Sequence, residues 1–286
     1  MVGEQVRFFI AWDSTIPGIR SAIESAVELR REPDVAFAAL GYRKNVPAVG
    51  SLRSRMVQEI QLCQGVIAAV DRPNATVGWE IGYCLARGLS LALIRAGTTD
   101  LPEWTRFGLL RGQLSTPATL SSDRFVEVAR QFPHFTQPPD RVAPGGRGLL
   151  LCPRRGTGTD LGRELSTVPG LDWLDPAGLT LDALPARLKD IGRVAWFIPE
   201  SSADQLRDGV ETGMLGVVAG YLEGSGVQVE LFVHEDARDQ QHMECQKPFA
   251  SISEAVEQLL RWEARTRLTP TGEPPPPPAP LVAWRE

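Results

Sequence analysis

The chain has 286 residues, of which 43% are hydrophobic and 23% charged, with a formal net charge of −5. That size suits two domains of ordinary dimensions, each with its own core. The acidic balance excludes a general electrostatic grip on nucleic-acid phosphates or anionic lipid and leaves room only for a small anionic ligand in a local pocket.

In chain order the first part reads as alternating strands and helices: "VRFFIAW", "GIRSAIESAVELRR", "VAFAAL", "SLRSRMVQEIQLC", "GVIAAVD", "VGWEIGYCLARG", "LSLALIRAG" and "SSDRFVEVARQF". Unbroken apolar strands between amphipathic helices predict a parallel sheet covered on both faces, a doubly wound α/β domain over residues 1–135. "TQPPDRVAPGGR" at 136–147 is dense in proline and glycine and reads as a linker. The pattern then restarts over 148–266 with "LLLCPRRGTGTDLGREL", "LDALPARLKDIG", "RVAWFIP", "VETGMLGVVAGYLEGSG", "VQVELFVHE" and "SISEAVEQLLRWE".

Laid over one another, the two parts repeat a strand, a loop, a glycine-bearing helix and a strand, so an internal duplication is expected. Pairing Gly82 with Gly216 puts Met214 opposite Glu80 and leaves the second copy without a carboxylate there. Residues 267–286 contain the run Pro274 to Pro278, which predicts a flexible tail in polyproline II conformation. Such a tail is either a solvated end or a spacer that presents "LVAWRE" to a protein partner.

Cys63, Cys84, Cys152 and Cys245 lie far apart without a CxxC pair and read as reduced core thiols, so neither a metal nor another cofactor is expected. The start "MVGEQVRFFIAW" lacks a basic region and a long apolar run, and no segment has the ~18 to 20 apolar residues of a membrane span. A cytosolic location without membrane association is the expectation.

Ligands of doubly wound sheets sit beyond the carboxyl ends of the strands, often where the strand order reverses. The loop from Asp71 to Val77 lies at such an end, with Asn74 able to cap or turn, Gly78 allowing close approach of a chain or ligand, and Glu80 expected in the first helical turn. The helix dipole there favours an ionised carboxylate, although acids are favoured at helix starts for that reason alone. Placed beside a cleft, such a carboxylate suits attack on the anomeric carbon of a ribose-like sugar as a base leaves, through a glycosyl-enzyme ester.

The stretch "VDRPNATVGWEIGYCLARGLSLALI" resembles the nucleoside 2-deoxyribosyltransferase family and its nucleotide-binding relatives with TIR-like folds. The likeness lies in a strand, a loop with Asp or Asn, a Glu-hydrophobic-Gly-Tyr helix and an apolar strand. It implies a flavodoxin-like, Rossmann-like parallel sheet, with Glu80 as nucleophile and Asp71 and Asn74 positioning sugar or base. It also implies a possible homodimer, since transferases of this family commonly complete their sites across subunits; here the second copy can take that role. Asn74 stands where the transferases usually carry an acid, and it can hydrogen-bond a base without acting as an anionic acid/base.

Further candidates share the same edge. Phe9 or Trp12 is placed to stack on a base, and Asp13 to reach the ligand or to cap the following helix. Tyr42 and Arg43, after the second strand, are a binding pair or part of a solvated basic loop. Arg53 and Arg55 suggest a phosphate, and Trp79 flanks Glu80. In the second part, Arg154 and Arg155 in "CPRRGTGTDLG" form a phosphate-friendly turn that lacks the Walker pattern. The expected ligand is therefore a nucleoside, a nucleotide or an NAD-like molecule. Two activities follow: N-glycosidic cleavage or base exchange through Glu80, or a sensor or scaffold that binds without turnover and recruits a partner through the tail.

Overall fold

The structure, a computed structural model, describes residues 6–12, 35–38, 52–70, 75–95, 118–119, 145–154, 158–199, 205–237 and 247–268. Within them lie two five-stranded sheets, all of whose recorded strand pairings are parallel. The first holds β1 (Val6–Ala11), β2 (Val35–Ala38), β3 (Gly65–Ala69), β4 (Ser90–Arg95) and β5 (Ala118–Thr119) in the order β2-β1-β3-β4-β5. The second holds β6 (Arg147–Leu151), β7 (Leu171–Trp173), β8 (Ile191–Ile198), β9 (Gln228–His234) and β10 (Lys247–Phe249) in the order β10-β9-β8-β6-β7. Counted from its own first strand, each sheet runs 2-1-3-4-5, so the order reverses between β1 and β3 and again between β6 and β8.

The helices are α1 (Leu52–Gln61), α2 (Ala75–Ala86), α3 (Gly158–Leu165), α4 (Leu184–Arg187), α5 (Gln205–Gly224) and α6 (Ile252–Leu268). Side chains alternate across a strand, and β6 and β8 accordingly serve two cores. Leu150, Ala195 and Phe197 face α3 and α6 with Leu161, Leu165, Leu259 and Trp262. Leu149, Leu151, Val194, Trp196 and Ile198 join a larger cluster that includes α5, α2 and, from the first sheet, Phe9, Val66, Ala68 and Leu91. Since α2 lies on β1, β3 and β4 and α5 on β8 and β9, a layer of two helices joins the sheets. An ion pair between Arg193 and Glu263, 18% and 6% exposed, ties α6 to β8 at 2.6 Å.

Small residues decide how closely α2 and α5 approach. A Cβ on Gly78 would stand 2.0 Å from the Gly213 carbonyl oxygen, and one on Gly216 would stand 2.3 Å from that of Ala75. The next turn repeats the relation: Gly82 would meet the Val217 oxygen at 1.9 Å and Gly220 the Trp79 oxygen at 2.0 Å. Gly78 thus corresponds to Gly216 and Gly82 to Gly220. Both helices end on a glycine with positive φ, 71° at Gly88 and 92° at Gly226. The amides of Leu89 and Val227 donate back to Cys84 at 3.0 Å and Leu222 at 2.9 Å, the closing bonds of the same C-terminal motif.

This corrects the register read from the sequence. Gly82 pairs with Gly220, not Gly216, and the residue opposite Glu80 is Val218, not Met214. Glycines recur along α5 at 213, 216, 220 and 224, so the sequence offers more than one register, and only contact between the helices selects one.

β6 begins at Arg147, the last residue of the predicted linker, and α6 continues to Leu268; residues 136–144 and the proline run lie outside the described residues. Among the described residues no helix is long and apolar enough to cross a membrane.

Candidate functional site

Where the order of the first sheet reverses, β1 and β3 lie side by side with Ala11 level with Ala68. Trp12 and Val70 therefore leave the sheet at one edge. Trp12 is half-buried there, whereas Phe9, further back on β1, is 0% exposed within the core and is no platform for a base.

Beyond this edge α2 begins at Ala75, two residues before the first residue of the predicted helical segment, which places Glu80 in the second turn. The correction matters chemically, because the macrodipole acts mainly within the first turn. Glu80 is 6% exposed, and no described donor or cation pairs with its carboxyl group. Burial alone holds its pKa well above the ordinary carboxylate range. Burial thus favours the neutral form of this carboxyl, in contrast to the dipole-stabilised anion expected from the sequence.

Glu80 shares a stripe of α2 with Thr76 and Cys84, each four residues away. The Thr76 hydroxyl, in a residue 9% exposed, has no hydrogen-bond partner among the described residues. The Cys84 thiol is pushed up by burial, then by the charges of Glu80 and Cys63. Cys63 donates to the Glu59 carbonyl at 3.2 Å, and burial holds its thiol up at about 12. Both are inert thiols at neutral pH. Neither Thr76 nor Cys84 is marked by a motif; their spacing from Glu80 was the available signal.

The neighbours of Glu80 in sequence face elsewhere. Gly78 admits the backbone of α5. Trp79 is 0% exposed, donates from Nε1 to Glu223 Oε2 at 2.7 Å and stacks on Tyr83 at 5.2 Å. Both belong to the helix pair, and neither Gly78 nor Trp79 is available to a ligand in this arrangement. Successive helical side chains turn by about 100°, which is why residues adjacent to Glu80 serve another face.

At the corresponding edge of the second sheet, Arg154 departs from its expected role. Its Nε and Nη2 donate to the carbonyls of Leu174 at 3.3 Å and Trp173 at 2.8 Å, its guanidinium lies 4.6 Å from the Trp173 ring centre, and Asp175 stands at 3.8 Å. The guanidinium ties the ends of β6 and β7 together instead of reaching over the start of α3. The Arg154 amide donates to Glu211 Oε1 at 2.7 Å, while Glu211 Oε2 has no hydrogen bond. Glu211, on α5, carried no signal in the sequence.

Asp71, Asn74, Asp13, Tyr42, Arg43 and Arg155 lie outside the described residues. Arg53 and Arg55 fall in the first turn of α1 by backbone, and their side chains are likewise outside the description. Among the described residues no group of three His, Cys, Asp or Glu side chains can hold a metal ion. No family model matches the chain, and no curated protein is significantly similar to it.

Proposed function

We propose that the chain cleaves or exchanges the N-glycosidic bond of a nucleoside or nucleotide, with Glu80 as nucleophile. In this reading the chain consists of two flavodoxin-like units related by internal duplication, the second standing in for a partner subunit. The observation that carries it is the setting of Glu80: a buried carboxyl without a partner among the described residues, on the helix that follows the strand beside the reversal point of the sheet. A group so placed costs stability, and strongly perturbed acids in such positions are candidates for function. The strand order 2-1-3-4-5 and the reciprocal α2 and α5 contacts support the paired-unit part.

In the reaction a Glu80 oxygen bonds to the anomeric carbon while the carbon–nitrogen bond breaks and its electron pair leaves with the base. Water or a second base then attacks the same carbon and releases the carboxylate. Only ionised Glu80 can attack, so kcat/KM should fall as pH drops through a pKa well above 4.5.

The test is to incubate the full chain with NAD, ribonucleosides and deoxyribonucleosides, with and without an acceptor base, and follow free base by chromatography. Base release that drops by about a thousandfold or more in Glu80→Gln supports the reading, in the range that loss of a nucleophile produces. Absence of release from every substrate refutes it.

A second reading, a nucleotide sensor or scaffold without turnover, draws on the raised pKa of Glu80 and on Val218 at the corresponding place. A neutral acid binds by hydrogen bonds and does not attack. Under that reading Glu80→Gln changes affinity alone, and the C-terminal tail supplies the contact with a protein partner.

A further inference from the structure

Two polar groups on one stripe of α2 have no partner among the described residues. Thr76 and Glu80 stand one turn apart and share a face, and both are more than nine-tenths buried, at 9% and 6% exposed. Thr76 is the second residue of α2, so the helix itself holds no carbonyl one turn back to accept its hydroxyl, and Oγ1 has no hydrogen-bond partner among the described residues. Orphaned buried hydroxyls cost stability and call for an explanation.

Contact with α5 does not supply that explanation. The residues of α2 that meet α5 are Ala75, Gly78, Trp79 and Gly82 with their neighbours, a different side of the helix. Val218, at the place corresponding to Glu80, is 0% exposed, so an apolar side chain satisfies the same packing. Thr76 lies nearer the start of α2, toward the carboxyl edge of the sheet, and Glu80 lies deeper. A rise of 1.5 Å per residue sets the two about 6 Å apart along the axis. That is roughly the reach from an anomeric carbon, through a ring hydroxyl, to the partner of that hydroxyl. Among the described residues no cation pairs with either group, which suits a neutral polyol better than a phosphate.

We propose that Thr76 is a sugar-binding residue, its Oγ1 exchanging a hydrogen bond with a ring hydroxyl of the nucleoside while Glu80 faces the anomeric carbon. This rests on the reading of Glu80 given above. The Thr76 hydroxyl fixes the depth at which the sugar seats, and the base projects toward the edge where Trp12 leaves β1.

The experiment measures binding and base release for the full chain with Thr76→Val and Thr76→Ser. Calorimetry uses the ribonucleosides, the deoxyribonucleosides, NAD and the corresponding free bases as probes. Valine keeps the shape and removes only the hydroxyl, so Thr76→Val should unfold no earlier than the parent in a thermal scan. It should bind nucleosides about tenfold more weakly, the size of one lost hydrogen bond, with free bases unaffected. Thr76→Ser should restore nucleoside affinity to within about threefold, since serine supplies the same donor and acceptor. Unchanged nucleoside affinity in Thr76→Val overturns the proposal, as does an equal loss for free bases or a parent protein that binds no nucleoside. Base release that ignores Thr76 refutes this inference alone. Thr76-dependent nucleoside binding without any base release refutes the glycosidic reading and supports the sugar contact.

Discussion

The helices α2 and α5 are matched turn for turn. Their glycines admit each other's backbones reciprocally, and both close on a glycine in left-handed conformation with the same pair of amide bonds. Yet one carries a buried carboxyl at Glu80 and the other a valine, Val218, both shielded from solvent. The difference separates what packing demands from what chemistry demands. An apolar side chain meets the packing need at this place, so the carboxyl of Glu80 is present at a cost in stability and not for its sake. The second unit has at least one buried charge that is paired, Arg193 with Glu263, an arrangement that ties elements together.

The comparison can be broken most severely at the helix pair. Gly82→Val should destabilise the chain by at least about 3 kcal/mol in chemical denaturation, because the new Cβ meets a carbonyl oxygen that cannot yield without moving α5. Gly220→Ala should cost a comparable amount. The double variant Gly82→Ala with Gly220→Ala should cost less than the sum of its parts, since one separation of the helices relieves both contacts. Strict additivity would show that the two contacts are not coupled.

The next effect comes from making the second unit like the first. Val218→Glu should lower stability by about 2 to 3 kcal/mol at pH 7, because it buries an ionisable group without a provided partner. An unchanged unfolding midpoint would mean that this face of α5 is wetter than its burial implies.

The smallest effect runs the other way. Glu80→Val, which makes the first unit like the second, should raise stability by about 1 to 2 kcal/mol at pH 7. The folded protein holds the Glu80 proton to higher pH than the unfolded chain does. The contribution of Glu80 is therefore fully retained below about 4.5 and is lost as pH rises through the raised folded value. The gain from Glu80→Val should accordingly grow as pH rises toward the raised folded value and shrink on acidification, as read from denaturation curves at a series of pH values. A gain that grows toward acid pH would contradict the assigned direction.

Much of the scaffold was legible from local pattern. "GVIAAV" and "RVAWFIP" are apolar on both faces and became central strands, and "SLRSRMVQEIQLC" and "SISEAVEQLLRWE" became helices close to their predicted bounds. Three short strands escaped notice: β5 at Ala118–Thr119, β7 at Leu171–Trp173 and β10 at Lys247–Phe249. Segments of two or three residues are too brief to show a period, and these exist because a neighbouring strand offers its edge.

The site was legible in a different measure. Glu80 stands out in sequence as the acid beside the strand-to-helix loop, whereas the ligand-facing roles expected of Phe9, Trp79 and Arg154 did not survive contact with their neighbours, and at Gly78 a chain, not a ligand, makes the expected close approach. Phe9 and Trp79 are aromatic, which marks a stacking platform and a core residue alike. Gly78 permits close approach without saying of what. Arg154 sits in a glycine-rich turn, but carbonyls at the end of β7, distant in the chain, claim its guanidinium.

By itself, then, the sequence determined the alternation of strands and helices, because hydrophobic period and turn chemistry are local properties. It also determined which carboxyl follows the strand at the reversal point. The tertiary structure alone decided the glycine register between α2 and α5, because a ladder of glycines allows several registers and only backbone contact rejects the others. It alone decided that the Glu80 carboxyl is buried with its pKa raised, because desolvation depends on which elements distant in the chain pack around the group.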